Sequence, residues 1–145
     1  MKSIKIKSFL CIVGIILVGC VAAPYFTREY ELGRPKEVTV GSAMITWEQG
    51  VKDEFMTDAT RMELLYSGIA QDILYLNYRE FAVKKGGNWA SGGAYARQPF
   101  YQELKYDISK SKQITFKDVE IQVLDANQQK IRFVVVKDGM MRRGR

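Results

Sequence analysis

The chain has 145 residues, with 22 Lys and Arg against 16 Asp and Glu for a net charge of +6, and 47% of it is hydrophobic. That is the size and make-up of one globular domain rather than of a disordered segment. It has no histidine, and its two cysteines, Cys11 and Cys20, both fall in the first 20 residues, which excludes a Ser-His-Asp triad, a Cys-His dyad, a His-ligated zinc and a four-cysteine metal site; no cofactor is expected.

The first seven residues carry Lys2, Lys5 and Lys7 and no acid. Removing these three lysines from the net +6 leaves +3, without the dense basic run that a nucleic-acid partner would need. Phe9 to Gly19 follows as an uncharged, apolar stretch of 11 residues, and the small Gly19 directly precedes Cys20. A basic start, an apolar middle and a small residue before the break form the layout of an export signal.

Leu17-Val18-Gly19-Cys20 resembles the lipobox of bacterial lipoproteins. The resemblance implies that a type II signal peptidase removes residues 1–19 and that the Cys20 thiol carries acyl chains such as palmitate. Each buried methylene contributes about 0.8 kcal/mol, so several chains on one residue hold a soluble domain at a membrane. Val21 after the cysteine is similar to the default outer-membrane signal of a double-membraned host. The expected location is the cell envelope, outside the cytoplasm and lipid-anchored, at the outer membrane in such a host, with the domain facing the periplasm. The alternative is an uncleaved membrane helix, because Ser8 to Thr27 is free of charge and just long enough to span. Pro24 and the glycines 14 and 19 weaken that helix. Both readings place everything after Cys20 outside the cytoplasm, and processing would leave the mature domain without a disulfide.

Residues 20–36 read as a lipidated cysteine and extended tether, with Pro24, Gly33 and Pro35 as its breakers. Tyr25, Phe26 and Tyr30 in this segment are expected to pack back on the domain. Residues 37–138 then read as a β domain. Glu37 to Trp47 is a strand interrupted at Gly41-Ser42 by a bulge or turn. Val51, Phe55, Ala59, Met62 and Tyr66 follow helical spacing, but Asp53, Thr57, Asp58 and Thr60 are weak helix formers. A loop is therefore expected over residues 51–59, with a short helix as the alternative.

Met62, Leu64 and Tyr66 share one strand face, and Ser67 to Asp72 reads as a hairpin loop into a central strand from Ile73 to Phe81. Pro99 to Ile108 alternates in polarity. Val119-Ile121-Val123 and Ile131-Phe133-Val135 alternate on either side of the polar turn 125–129, the clearest hairpin in the chain. The fold class expected is mainly β, a small antiparallel sandwich or barrel of about six or seven strands. Residues 139–145 form a basic, solvated C-terminal tail.

The chemistry is sparse. The glycine-rich run 85–93 lacks the Gly-Lys-Ser/Thr ending of a phosphate loop, and Ser42 has neither a nucleophile-elbow frame nor a histidine to activate it. Glu80, Glu103 and Asp107 fall among Arg79, Lys105 and Arg97 like cross-strand charge pairs on a solvated face. No enzymatic activity is expected. Trp89 and Tyr95 are the candidate ligand-binding residues, able to stack on a glycan or a small apolar molecule. The runs 63–68, 78–81, 96–100 and 104–107 resemble small envelope lipoproteins that carry no assigned activity. The leading expectation is a non-catalytic interaction or structural module with an envelope protein partner. The alternative is a ligand-binding lipoprotein.

Overall fold

The computed structural model describes residues 22–53, 56–86 and 89–140, without the side chains of residues 56 and 85–99. The lipobox, Cys20 and the tail 141–145 lie outside the described residues. One antiparallel sheet holds β1 (Ala23–Arg28), β3 (Ala43–Lys52), β4 (Met56–Ala70), β5 (Ile73–Gly86) and β6 (Trp89–Asp107), in the order β1-β3-β4-β5-β6. A second sheet holds β2 (Pro35–Thr39), β7 (Gln113–Phe116), β8 (Val119–Ala126) and β9 (Lys130–Asp138), in the order β2-β9-β8-β7. The two sheets enclose one core and form a small β-sandwich, with nine strands among the described residues rather than six or seven.

Period-two alternation builds that core. Met62, Leu64 and Tyr66 of β4 and Leu74, Leu76 and Tyr78 of β5 face Val119, Ile121, Val123, Ile131, Phe133 and Val135 of β8 and β9, all buried. Full burial of each such side chain contributes about 1.5–3 kcal/mol. The β8–β9 hairpin pairs Ile121 with Val135 and Val123 with Phe133, as its alternation predicts.

The structure corrects three local expectations. First, much of the segment read as a tether is folded: β1 lines one edge of the larger sheet and β2 starts at Pro35 on an edge of the smaller one. Tyr30 between them is buried, Phe26 packs against the core, and Tyr25 bonds to Glu48, so the three aromatics do pack back on the domain. Second, residues 51–52 and 56–59, expected as loop with a short helix as the alternative, are the facing ends of β3 and β4. Third, the expected loop 67–72 shrinks to a two-residue turn. Gln71 and Asp72 both take positive φ (48° and 61°), the type I′ geometry that matches strand twist, while Gly68 (φ 113°) marks a bulge within β4. Gly41 and Ser42 form a turn that carries the chain from β2 in one sheet to β3 in the other.

The larger sheet outruns the smaller. The central core reaches Trp47 on β3 and Tyr78 on β5, yet β3 continues to Lys52 and β5 to Gly86. At about 3.3 Å per residue this is a ribbon extending roughly 17–26 Å beyond the sandwich. Ala23 pairs with Lys52, Lys52 with Thr57 and Thr57 with Lys85, so one row of residues closes its far end. Within the ribbon the strands are pressed together at Gly50, where a Cβ would stand 2.5 Å from the Ala59 Cα and 2.6 Å from its Cβ.

Candidate functional site

The sandwich mouth, where the ribbon leaves the core, gathers a cluster of aromatic and charged groups. Trp47 on β3 and Tyr78 on β5 point inward from neighbouring parts of one sheet, and Phe116 ends β7 of the other. Tyr78 and Phe116 are tilted with centroids 4.9 Å apart, and Trp47 stands 6.3 Å from each. Phe100 completes the group, edge-on to Tyr78 at 5.7 Å. A register break puts it there: Tyr101 pairs with Arg79 and Ala96 with Phe81, so residues 97–100, Pro99 among them, stand opposite Glu80 alone. Such a bulge redirects side chains and interrupts the outer edge of β6.

The polar part of the cluster joins the two sheets. Lys117 lies in the two-residue β7–β8 turn, at φ 45°, with its ammonium 4.2 Å from the centre of the Tyr78 ring. It donates to the Tyr78 hydroxyl oxygen and, at 3.1 Å, to the Glu80 carboxylate, while the Tyr78 hydroxyl donates to the same carboxylate. Burial, and then the Glu80 carboxylate, push the Tyr78 phenol well above its ordinary range. It is therefore a fixed hydrogen-bond donor at neutral pH, unsuited to acting as a base. These groups bond one another across the sheets, and the arrangement is a latch. Trp47 Nε1, buried at its inner side, finds no partner among the described residues.

A second latch closes the opposite flank of the sandwich mouth. The Asp138 carboxylate, with 0% side-chain exposure, accepts from the Arg28 guanidinium and the Tyr30 hydroxyl, both at 2.9 Å. Burial first, then Asp138, raise the Tyr30 phenol far above its ordinary range. A cleft of about 440 Å³ lies alongside, lined by Arg28, Tyr30, Arg34, Lys36 and Phe133 among others. Its cations are engaged: Arg28 with Asp138, Arg34 with Glu31 at 2.7 Å, and Lys36 with the carbonyls of Glu29 and Met44.

The carboxylates singled out in the sequence do not converge. Glu80 belongs to the first latch. Glu103 pairs with Lys105 at 2.9 Å. It stands opposite Asn77 on β5, an odd number of residues from Glu80, so the two acids are on opposite faces of the sheet. Asp107 caps the turn after β6; the Ser109 hydroxyl and Lys110 hold its carboxyl down to about 2. Trp89 and Tyr95 lie on β6 opposite Gly86 and Ala82, out along the ribbon, with side chains outside the described residues. Trp47, Tyr78, Phe116 and Lys117 were missed as a group, since Tyr78 and Lys117 are 39 residues apart and no local pattern links them.

Among the described residues no group of three metal-ligating side chains occurs, and no helix is long and apolar enough to cross a membrane. No family model, curated protein or solved structure matches the chain.

Proposed function

We propose that the chain is a lipoprotein of the cell envelope, anchored through Cys20, whose β-sandwich is a non-catalytic interaction or structural module. The observation that carries this reading is where the first described strand begins. Strand β1 starts at Ala23, three residues after Cys20, at the open end of the ribbon. An acylated Cys20 therefore feeds straight into the edge of a sheet, with no intervening domain. The non-catalytic part draws on the charged groups: Glu80, Glu103 and Asp107 are each held by a cation or hydroxyl and stand apart. Metabolic labelling with palmitate tests the anchor. Label should enter the wild type and Cys11→Ala proteins and be lost in Cys20→Ala; label retained in Cys20→Ala would overturn the reading.

The ligand-binding alternative has one observation in its favour. Phe100 and Tyr101 are 52% and 54% exposed on β6, the strand that carries Trp89 and Tyr95. Isothermal titration with glycan fragments decides it: heat lost in Tyr101→Ala would support a binder.

A further inference from the structure

On the reading that the chain is anchored at Cys20, we infer that the bare end of the five-stranded sheet faces the bilayer, and that this folded ribbon, not a flexible linker, holds the sandwich away from the lipid headgroups. The chain enters the sheet at Ala23, and three extended residues span at most about 11 Å. Acyl chains fix Cys20 at the headgroup level, so Ala23 stands next to the membrane. The row Ala23–Lys52–Thr57–Lys85 must stand there with it, because ladder pairing locks those strands at one end. Trp89 opens β6 opposite Gly86 at the same end, and is of the residue type that concentrates at membrane interfaces.

From that row β1 runs towards Arg28, whose guanidinium meets Asp138 in the sandwich. The sandwich consequently begins roughly 17–23 Å from the row, measured along β3 and β5. Its far pole is the β8–β9 turn, where Val40 N–H donates to the Gln129 carbonyl and the Tyr66 hydroxyl donates to the Asn127 carbonyl. This pole sits beside the start of β3, nine residues and about 30 Å from Lys52.

The ribbon is tied across its strands. Glu48 on β3 accepts from Tyr25 on β1 at 2.6 Å and from Arg61 on β4 at 3.1 Å. Charge does not set the orientation. Lys52, Lys84 and Lys85 are matched in number by Asp53, Glu54 and Asp58, with Lys84 and Asp58 3.7 Å apart. The end should thus approach a neutral headgroup layer as readily as an anionic one.

The test uses the full processed chain in phosphatidylcholine vesicles that contain a nitroxide-headgroup lipid. Single thiols are introduced as Lys52→Cys and Gln128→Cys and labelled with a small fluorophore, and wild type labelled in parallel gives the background. Intact mass of the same sample records whether Cys20 is acylated. The expected result is several-fold stronger quenching at position 52 than at 128, unchanged by high salt. Equal quenching, or stronger quenching at 128, on an acylated chain overturns the orientation and leaves the anchor standing. A chain that retains residues 1–19 without acyl groups overturns the anchor, yet the quenching ratio still decides the orientation, since that anchor also enters at Ala23. A chain that fails to join the vesicles overturns both.

Discussion

Replacing Asp138 by Ala should unlatch β1 and the following crossover from β9. The carboxylate is fully buried and receives the Arg28 guanidinium and the Tyr30 hydroxyl at 2.9 Å, and its other oxygen receives the Met140 N–H at 2.9 Å. A hydrogen bond to a charged group is worth about 1.5–3 kcal/mol when buried. Arg28 keeps 26% of its side-chain exposure, so its share falls at the low end. The loss should be about 3–4 kcal/mol, in line with breaking a buried pair from one side. For a domain of this size that lowers the thermal midpoint by about 10–15 °C. Urea unfolding followed by tyrosine and tryptophan fluorescence measures it. Asp138→Asn, which keeps an acceptor for Tyr30, should lose about half as much. In the Asp138→Ala background, Tyr30→Phe should cost almost nothing, because their coupling is already gone. A loss under about 1 kcal/mol for Asp138→Ala would refute the latch.

Gly50→Ala would drive a methyl into Ala59 and the Asp58 carbonyl, and should cost about 2 kcal/mol or more in thermal unfolding. Ile121→Ala and Phe133→Ala, both fully buried, should each cost about 2–5 kcal/mol by urea denaturation, whereas the half-exposed Val136→Ala should cost little. Stability should also fall in alkali. Burial and then Glu48 raise the Tyr25 phenol to about 12, and Tyr30 and Tyr78 are raised further. A folded-state value above the unfolded one gives stability that is fully present below about pH 10 and is lost as pH rises through about 12. Urea midpoints that decline over that interval, and decline less in Tyr25→Phe, are the expected record.

The fold was legible where one period held on both sides of a turn. Val119-Ile121-Val123 and Ile131-Phe133-Val135 alternate on either side of one polar turn, so the sequence alone identified the buried face of this hairpin. Elsewhere two physical ambiguities intervened. A spacing of four residues is one helical turn, but Val51 belongs to β3 and Ala59 to β4, so the helical spacing here runs across two strands and is the period of neither. Within β4 the odd step from Ala59 to Met62 puts these residues on opposite faces, Met62 within the central core and Ala59 buried outside it. Proline and glycine were the second source. Pro24 and Pro35 read as linker breakers, yet β1 and β2 are edge strands, where a missing N–H can face solvent. The turns at Gln71-Asp72 and Lys117-Asp118 take positive φ without glycine, so neither carried the glycine signature of a two-residue turn.

The latch was hidden for another reason. Tyr78, Glu80 and Lys117 meet only because β7 and β8 fold over the mouth of the larger sheet, and such a contact leaves no trace in spacing. The bulge that brings Phe100 to Tyr78 was likewise invisible, although Pro99 inside an alternating run is the type of residue that marks one. Trp89 and Tyr95, which stood out in the sequence beside glycines, belong by register to the ribbon rather than to the latch.

The lipid anchor at Cys20 is the central claim of the proposed function. Intact-mass measurement of the protein purified from the membrane fraction addresses it most directly. A chain that begins at residue 20 and carries added acyl chains on that residue is expected. A chain that keeps residues 1–19 and has no acyl addition would contradict it.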